Sequence, residues 1–241
     1  MWKKFIQRAS LGARCRLCRA KPLPGHSLCQ ACLDALPRLH TACPRCALPL
    51  AGEIPADGLC GECLRDPPAF DSAHVALRYR APVDQLVSRF KYHHALSDGR
   101  LLAGLLADRL TQRRQQASPL PQLIVPLPLQ ARRLRERGFN QAAELARVLS
   151  RQSGIPWRSD LLLRHGSEQH QREADRKQRQ RNVRHAFACT QQLPAGTRVA
   201  LVDDVITTGA TARAAARCLK QAGADWVEVW AVARTPRPGD R

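Results

Sequence analysis

A chain of 241 residues has room for one sizeable core with a small module, or for two modest domains. Its composition is that of a folded globular protein. Its longest apolar stretch, around Leu101–Leu110, is broken by Gly104, Asp108 and Arg109, which excludes a membrane span. Lys and Arg total 39 against 20 Asp and Glu, so the net charge is +19, a field that favours phosphate-bearing partners without choosing among them and that a GC-rich genome can also produce.

Residues 1–12 form an N-terminal segment. Met1–Arg8 has basic residues but no apolar run or cleavage site of a secretory signal, and it reads as an amphipathic first turn packed on the body. With no export signal, a reducing, cytoplasmic setting is expected. Ten cysteines follow, eight of them in four Cys-x-x-Cys pairs: Cys15 with Cys18, Cys29 with Cys32, Cys43 with Cys46, and Cys60 with Cys63. Residues 13–68 around them are rich in Pro and Gly and lack apolar periodicity, so they cannot build a core of their own. Clustered pairs in a reducing compartment read as metal sites. Each pair offers one knuckle with two thiolates, and two knuckles complete a tetrahedral four-sulfur site with no open position, which is structural rather than catalytic. Two Zn²⁺ sites follow from eight ligands. Spacing alone leaves sequential and interleaved pairing both open.

Arg65–Asp71 reads as the joint to a second unit, residues 69–241. Ala73–Arg80 reads as a strand. Pro82 opens an amphipathic helix with Val83, Leu86, Val87 and Phe90 on one face, ending near Lys91 and Tyr92. Asp98 is placed to cap a second helix bearing Leu101, Leu102, Leu105, Leu106 and Leu110. Leu123-Ile-Val-Pro is a short buried strand, Asn140–Leu149 a helix with Gly154 just past its end, and Leu161–Leu163 another strand.

Residues 164–184 break the pattern with seven Arg or Lys and three acids, which reads as a basic loop or helix plus loop. Val183–Phe187 reads as a strand. Arg198–Asp204, Thr211–Ala222 and Trp226–Ala233 then read strand, helix, strand, the rhythm of a parallel α/β sheet. Cys189 and Cys218 read as ordinary cysteines, and His93-His94 as a polar helix end.

The text Val199-Ala-Leu-Val-Asp-Asp-Val-Ile-Thr-Thr-Gly-Ala-Thr211 carries the chemistry. A buried strand ends in two acids at the edge where open α/β sheets bind ligands. A short loop of Thr207, Thr208, Gly209, Ala210 and Thr211 then enters a helix. Such a loop offers backbone N–H groups, hydroxyls and the helix N-terminus to a phosphomonoester, and Gly209 permits a positive φ. Asp203 and Asp204 stand ready for vicinal sugar hydroxyls or for Mg²⁺. Alone, the acids would be a polar strand end and the threonines a helix cap. Together, in this order, they describe a reader of ribose 5-phosphate.

This segment resembles the thirteen-residue signature for phosphoribosyl pyrophosphate (PRPP) of type I phosphoribosyltransferases. The resemblance implies Asp203 and Asp204 as the catalytic, ribose-reading pair with Mg²⁺, and Thr207, Thr208, Gly209, Ala210 and Thr211 around the 5-phosphate. Hypoxanthine-type transferases carry Asp where this chain has Thr207, which argues against purine salvage. The order of the cysteine pairs, Phe90-Lys91-Tyr92, Val125-Pro-Leu-Pro, Arg137-Gly-Phe-Asn-Gln141, Gln171 with Arg179, Asn182-Val183, Ala186-Phe187 and the signature is similar to the ComF family, including its GntX-type members, over nearly the whole chain. That resemblance implies an α/β parallel-sheet phosphoribosyltransferase fold behind a sequentially paired double zinc ribbon, and a part in DNA uptake and natural transformation. It gives Arg137 a place at the pyrophosphate, and Asn140 either a helix cap or a ligand contact. The basic stretch Arg172–Arg184 is either a closing loop over PRPP or a solvated charge run.

Two functions fit these observations. One is a phosphoribosyltransferase whose acceptor the sequence does not name. The other is a non-catalytic PRPP sensor that handles single-stranded DNA, with partners in the competence machinery. Few aromatics are available for base stacking, so DNA binding would be electrostatic and salt-sensitive, with Arg176, Lys177, Arg179 and Arg181 as its test.

Overall fold

In the computed structural model, residues 14–50, 58–114, 119–165 and 186–237 are described. In chain order the elements are α1 (Gln30–Asp34), α2 (Gly61–Arg65), β1 (Ser72–Arg78), α3 (Val83–Tyr92), α4 (Leu96–Arg114), β2 (Leu123–Pro126), α5 (Ala131–Arg137), α6 (Gln141–Ser153), β3 (Leu162–Arg164), β4 (Phe187–Cys189), β5 (Arg198–Ile206), α7 (Ala210–Gln221) and β6 (Trp226–Arg234). Four strands form a parallel sheet in the order β1-β6-β5-β2, and β3 and β4 pair antiparallel as a separate small sheet.

The central strands β5 and β6 are buried along nearly their whole length because both of their faces are covered, β5 carrying Asp203 and Asp204 and β6 Glu228 within otherwise apolar runs. On one face, Phe90 of α3, Leu102 and Leu106 of α4 and Leu145 and Leu149 of α6 pack on Ile124, Ala200, Val202, Trp230 and Val232. On the other, Ala212, Ala215 and Leu219 of α7 pack on Val199, Leu201, Val227 and Val229. The cysteine module straddles the sheet. Cys15, Leu28 and Leu36 join the α3–α4 side, whereas Cys43, Cys46, Leu48, Cys60 and Cys63 join the α7 side. Between the two halves, Arg38 bridges antiparallel to Leu77, the Leu39 amide donates to Ala76, and the Arg78 amide donates to Pro37. The joining segment thus lies along the β1 edge.

Three expectations change. Helix α4 begins at Leu96, so Asp98 sits in its first turn instead of capping it. Its buried carboxylate accepts from Arg16 Nε at 2.8 Å and Arg89 Nε at 2.7 Å, and two guanidiniums hold it more strongly than backbone amides would. Helix α5 was not expected, since its Arg-rich run buries nothing and shows no apolar period. Strand β5 runs past the acids to Ile206. Residues 166–184 of the basic stretch, with Arg176, Lys177, Arg179 and Arg181, lie outside the described residues, as do residues 183–185 of the expected Val183–Phe187 strand; its described part begins at Ala186, and β4 starts at Phe187.

Candidate functional site

Strand β2 stops at Pro126, opposite Val202, so β5 carries Asp203 and Asp204 beyond the point where β2 ends. The acids therefore stand at the carboxyl edge of the sheet. Asp204 is buried and its Oδ2 lies 2.9 Å from Lys91 Nζ, at the end of α3. Asp203 Oδ1 accepts from the Asp204 amide at 2.8 Å. Burial, and then the neighbouring Asp204 carboxylate, push Asp203 up to about 7 from an ordinary 3.8, while Lys91 and Arg164 pull the other way. Arg164 is itself held below its usual value by burial and by Arg133. Hydroxyl donors or a cation at this edge would favour its charged form. The donor set fits Mg²⁺ and a diol.

The loop after β5 turns at Gly209, whose φ of +78° is the left-handed region that favours glycine. Thr208 Oγ1 accepts from the Ala210 amide at 3.3 Å, and Ala210 begins α7, with Thr211 in its first turn. Thr207, Thr208, Gly209, Ala210 and Thr211 are all exposed or half-buried, as a phosphate cradle requires.

The third group comes from the α5–α6 corner. Gly138 takes a φ of +72°, and Asn140 caps α6 by accepting from the Ala142 amide at 3.0 Å. The Asn140 amide group also donates to Leu127 O at 3.1 Å, which pins this corner to the end of β2. The capping role expected for Asn140 is present. Arg137 donates to Gln141 Oε1 at 3.0 Å and to the Tyr92 hydroxyl at 3.3 Å, and lies over the Tyr92 ring. Tyr92 follows Lys91, so Arg137 converges on the helix end that holds Asp204.

The eight cysteines gather as two sets, Cys15, Cys18, Cys29 and Cys32, and Cys43, Cys46, Cys60 and Cys63, with sulfurs within 4.8 Å of one another in each. The pairing is sequential. In the second set all four residues are buried. A hydrogen bond from Cys46 pulls Cys43 down to about 4, whereas burial pushes Cys63 up to about 12. Four buried thiols cannot all lose protons together without a cation among them, which fits structural zinc.

Lys91 and Arg234 were not singled out from sequence. Lys91 was visible only as part of Phe90-Lys91-Tyr92. Arg234 ends an apolar strand at the same sheet edge as the acids, a cation in a place where burial is expected.

Residues 6–64 match the family model of the double zinc ribbon domain. The chain is 35% identical to the DNA utilization protein YhgH of Salmonella typhi, over 92% of this chain and 96% of that protein. It is 34% identical to competence protein F of Haemophilus influenzae, with the same coverage. Among solved structures, the glutamine PRPP amidotransferase of B. subtilis is similar over 56% of this chain, with 21% identity and a TM-score of 0.38, and this chain spans about a quarter (26%) of that one. No described helix is long and apolar enough to cross a membrane. With two sequential four-cysteine clusters ahead of a parallel sheet, and with relatives alike from end to end, the chain belongs to the ComF family, that of competence protein F and YhgH.

Proposed function

We propose that the chain binds PRPP with Mg²⁺ at the carboxyl edge of its sheet and is a phosphoribosyltransferase-type protein serving DNA uptake in the cytoplasm. The observation that carries this reading is the acidic pair at the end of β5 followed at once by the Gly209 turn into α7. In this reading residues 13–68 are the ribbons and 69–241 the ligand-binding unit. Asp203 and Asp204 accept from the ribose hydroxyls, the 207–211 loop holds the 5-phosphate, and Arg137 faces the pyrophosphate. Mg²⁺ supplies charge neutralisation for the leaving pyrophosphate. The chain's own part is to orient the sugar, and Lys91 gives way at Asp204 as ligand enters.

The relatives' names support the DNA-uptake setting. The charge of +19 supports the second reading, in which PRPP is sensed rather than consumed and single-stranded DNA is bound through phosphates. Calorimetry with PRPP and Mg²⁺ tests the site: Asp203→Asn with Asp204→Asn should abolish binding in a folded protein, and unchanged affinity sinks the assignment. Pyrophosphate release across nucleobases and oligonucleotides separates the two readings. Turnover favours the enzyme. Salt-sensitive DNA binding without turnover, weakened by neutralising Arg176, Lys177, Arg179 and Arg181, favours the module.

A further inference from the structure

Arg234 is the last residue of β6 and is only 4% exposed. Its guanidinium reaches in two directions. Nε donates to the carbonyl of Cys46, a ligand of the second metal set, at 3.3 Å. Nη1 donates to the carbonyls of Ile206 at 3.2 Å, of Thr207, and of Thr235 at 3.1 Å. Thr235 reinforces the same point, its amide donating to Ile206 O at 3.0 Å and its hydroxyl to Thr207 O at 3.3 Å.

Two physical consequences follow. In a trans peptide the C=O and the following N–H point opposite ways, and the only cis bond among the described residues is Ala81-Pro82. Capturing the Ile206 and Thr207 carbonyls therefore turns the Thr207 and Thr208 amides away from Arg234. Those are the donors an anion in the loop needs, and a carbonyl turned the other way would repel it. The second consequence concerns charge. A buried guanidinium needs compensation, and Arg234 lies against the second cysteine set through its bond to the Cys46 carbonyl. Four thiolates around one divalent cation keep an excess of negative charge, which suits a buried cation beside them. Arg213 of α7 makes a parallel tie, donating to Asp66 O at 2.9 Å just past the second set. Ties between the first set and the body run instead through Arg16 to Asp98.

We propose that Arg234 is a positioning residue that couples the second metal centre to the phosphate loop, so that metal held by Cys43, Cys46, Cys60 and Cys63 keeps the Thr207 and Thr208 amides turned toward the ligand. The identity of the anion rests on the PRPP reading above; the coupling itself does not.

The test is amide hydrogen exchange by mass spectrometry on the full-length, metal-loaded protein, during slow removal of metal by a chelator. Peptides covering 15–32, 43–63 and 203–211 report the first centre, the second centre and the loop in one experiment. Protection in 203–211 should fall in step with 43–63 and independently of 15–32. Loop protection that survives loss of the second centre, or that follows the first, overturns the proposal. Arg234→Gln should raise loop exchange about tenfold or more while both metals stay bound, because hydrogen bonds from a charged donor are lost. Wild-type loop exchange in a folded, metal-loaded Arg234→Gln protein also overturns it. If that variant fails to fold, the chelation arm on the wild-type chain still decides. Calorimetry on the same proteins should show PRPP affinity weakened about tenfold in Arg234→Gln. A wild-type protein that does not bind PRPP removes the ligand assignment and leaves the exchange result standing.

Discussion

Replacing Asp203 by asparagine removes a carboxyl that the fold holds back from ionising. In the native state this group ionises at about 7, against 3.8 ordinarily, because burial and Asp204 disfavour its charge. The sign follows from proton binding. Between those two values the native chain holds a proton that the unfolded chain has lost, so stability falls as pH rises from about 4 to about 7 and then levels off. At about 1.4 kcal/mol per pH unit the ceiling is about 4 kcal/mol, and water reaching this half-buried carboxylate brings the expected value to about half of that. Asparagine keeps the shape and carries no charge. Asp203→Asn should therefore be more stable than wild type at pH 8 by about 2 kcal/mol, with the advantage shrinking by about 1 kcal/mol at pH 6. Urea unfolding of both proteins at several pH values, metals bound, measures this, and taking the difference cancels any shared pH dependence of the metal sites. A difference that is flat with pH, or that grows as pH falls, refutes the reasoning. On the reading proposed above, the same change weakens PRPP binding, so stability would be gained at the expense of the ligand, the trade expected of a functional site.

Lys91→Met removes a cation that partly offsets this cost, so the pH midpoint of the Asp203 effect should move up by about one pH unit; an unmoved midpoint in the same urea series would mean that Lys91 does not act on Asp203. Asp98→Asn should cost about 2–3 kcal/mol, less than a fully buried ion pair because Arg16 and Arg89 are about one-third exposed (36% and 35%) and can be rehydrated; a loss below about 0.5 kcal/mol in urea unfolding would mean the two ties are idle. Metal analysis of reduced protein should give about two zinc ions per chain, falling to about one when a cysteine set is replaced by serines.

Much of the site was legible because its parts are contiguous. The run Val199–Thr211 carries strand, acids, loop and helix in one stretch, and local rules read each piece. The cysteine clusters were equally plain, although their pairing needed coordinates. What escaped depends on distant partners. Asp98 has the look of a helix cap, and its two guanidiniums come from residues 16 and 89. Lys91 gains meaning only because α3 ends beside β5, 113 positions short of Asp204. Arg234 resembles a polar strand end until Cys46, 188 positions away, is found beside it. Helix α5 is exposed along its length, so no apolar period marks it.

The segment from Pro37 to Leu39 that lies along β1 has a counterpart across the sheet. There the Ile124 amide donates to Pro156 O and the Arg158 amide donates to Ile124 O, so β2 is also partly covered. Among the described residues both borders of the sheet are partly blunted by short stretches, which leaves a partner strand less ladder to join. Strand addition is thereby disfavoured as a way for this sheet to take up a partner. The protection on the β1 side is conditional, since the covering residues hang between two metal-held knuckles. Loss of metal would loosen that cover over the β1 border, where Ala73, Val75, Ala76 and Leu77 are apolar, and would favour self-association before the sheet itself unfolds.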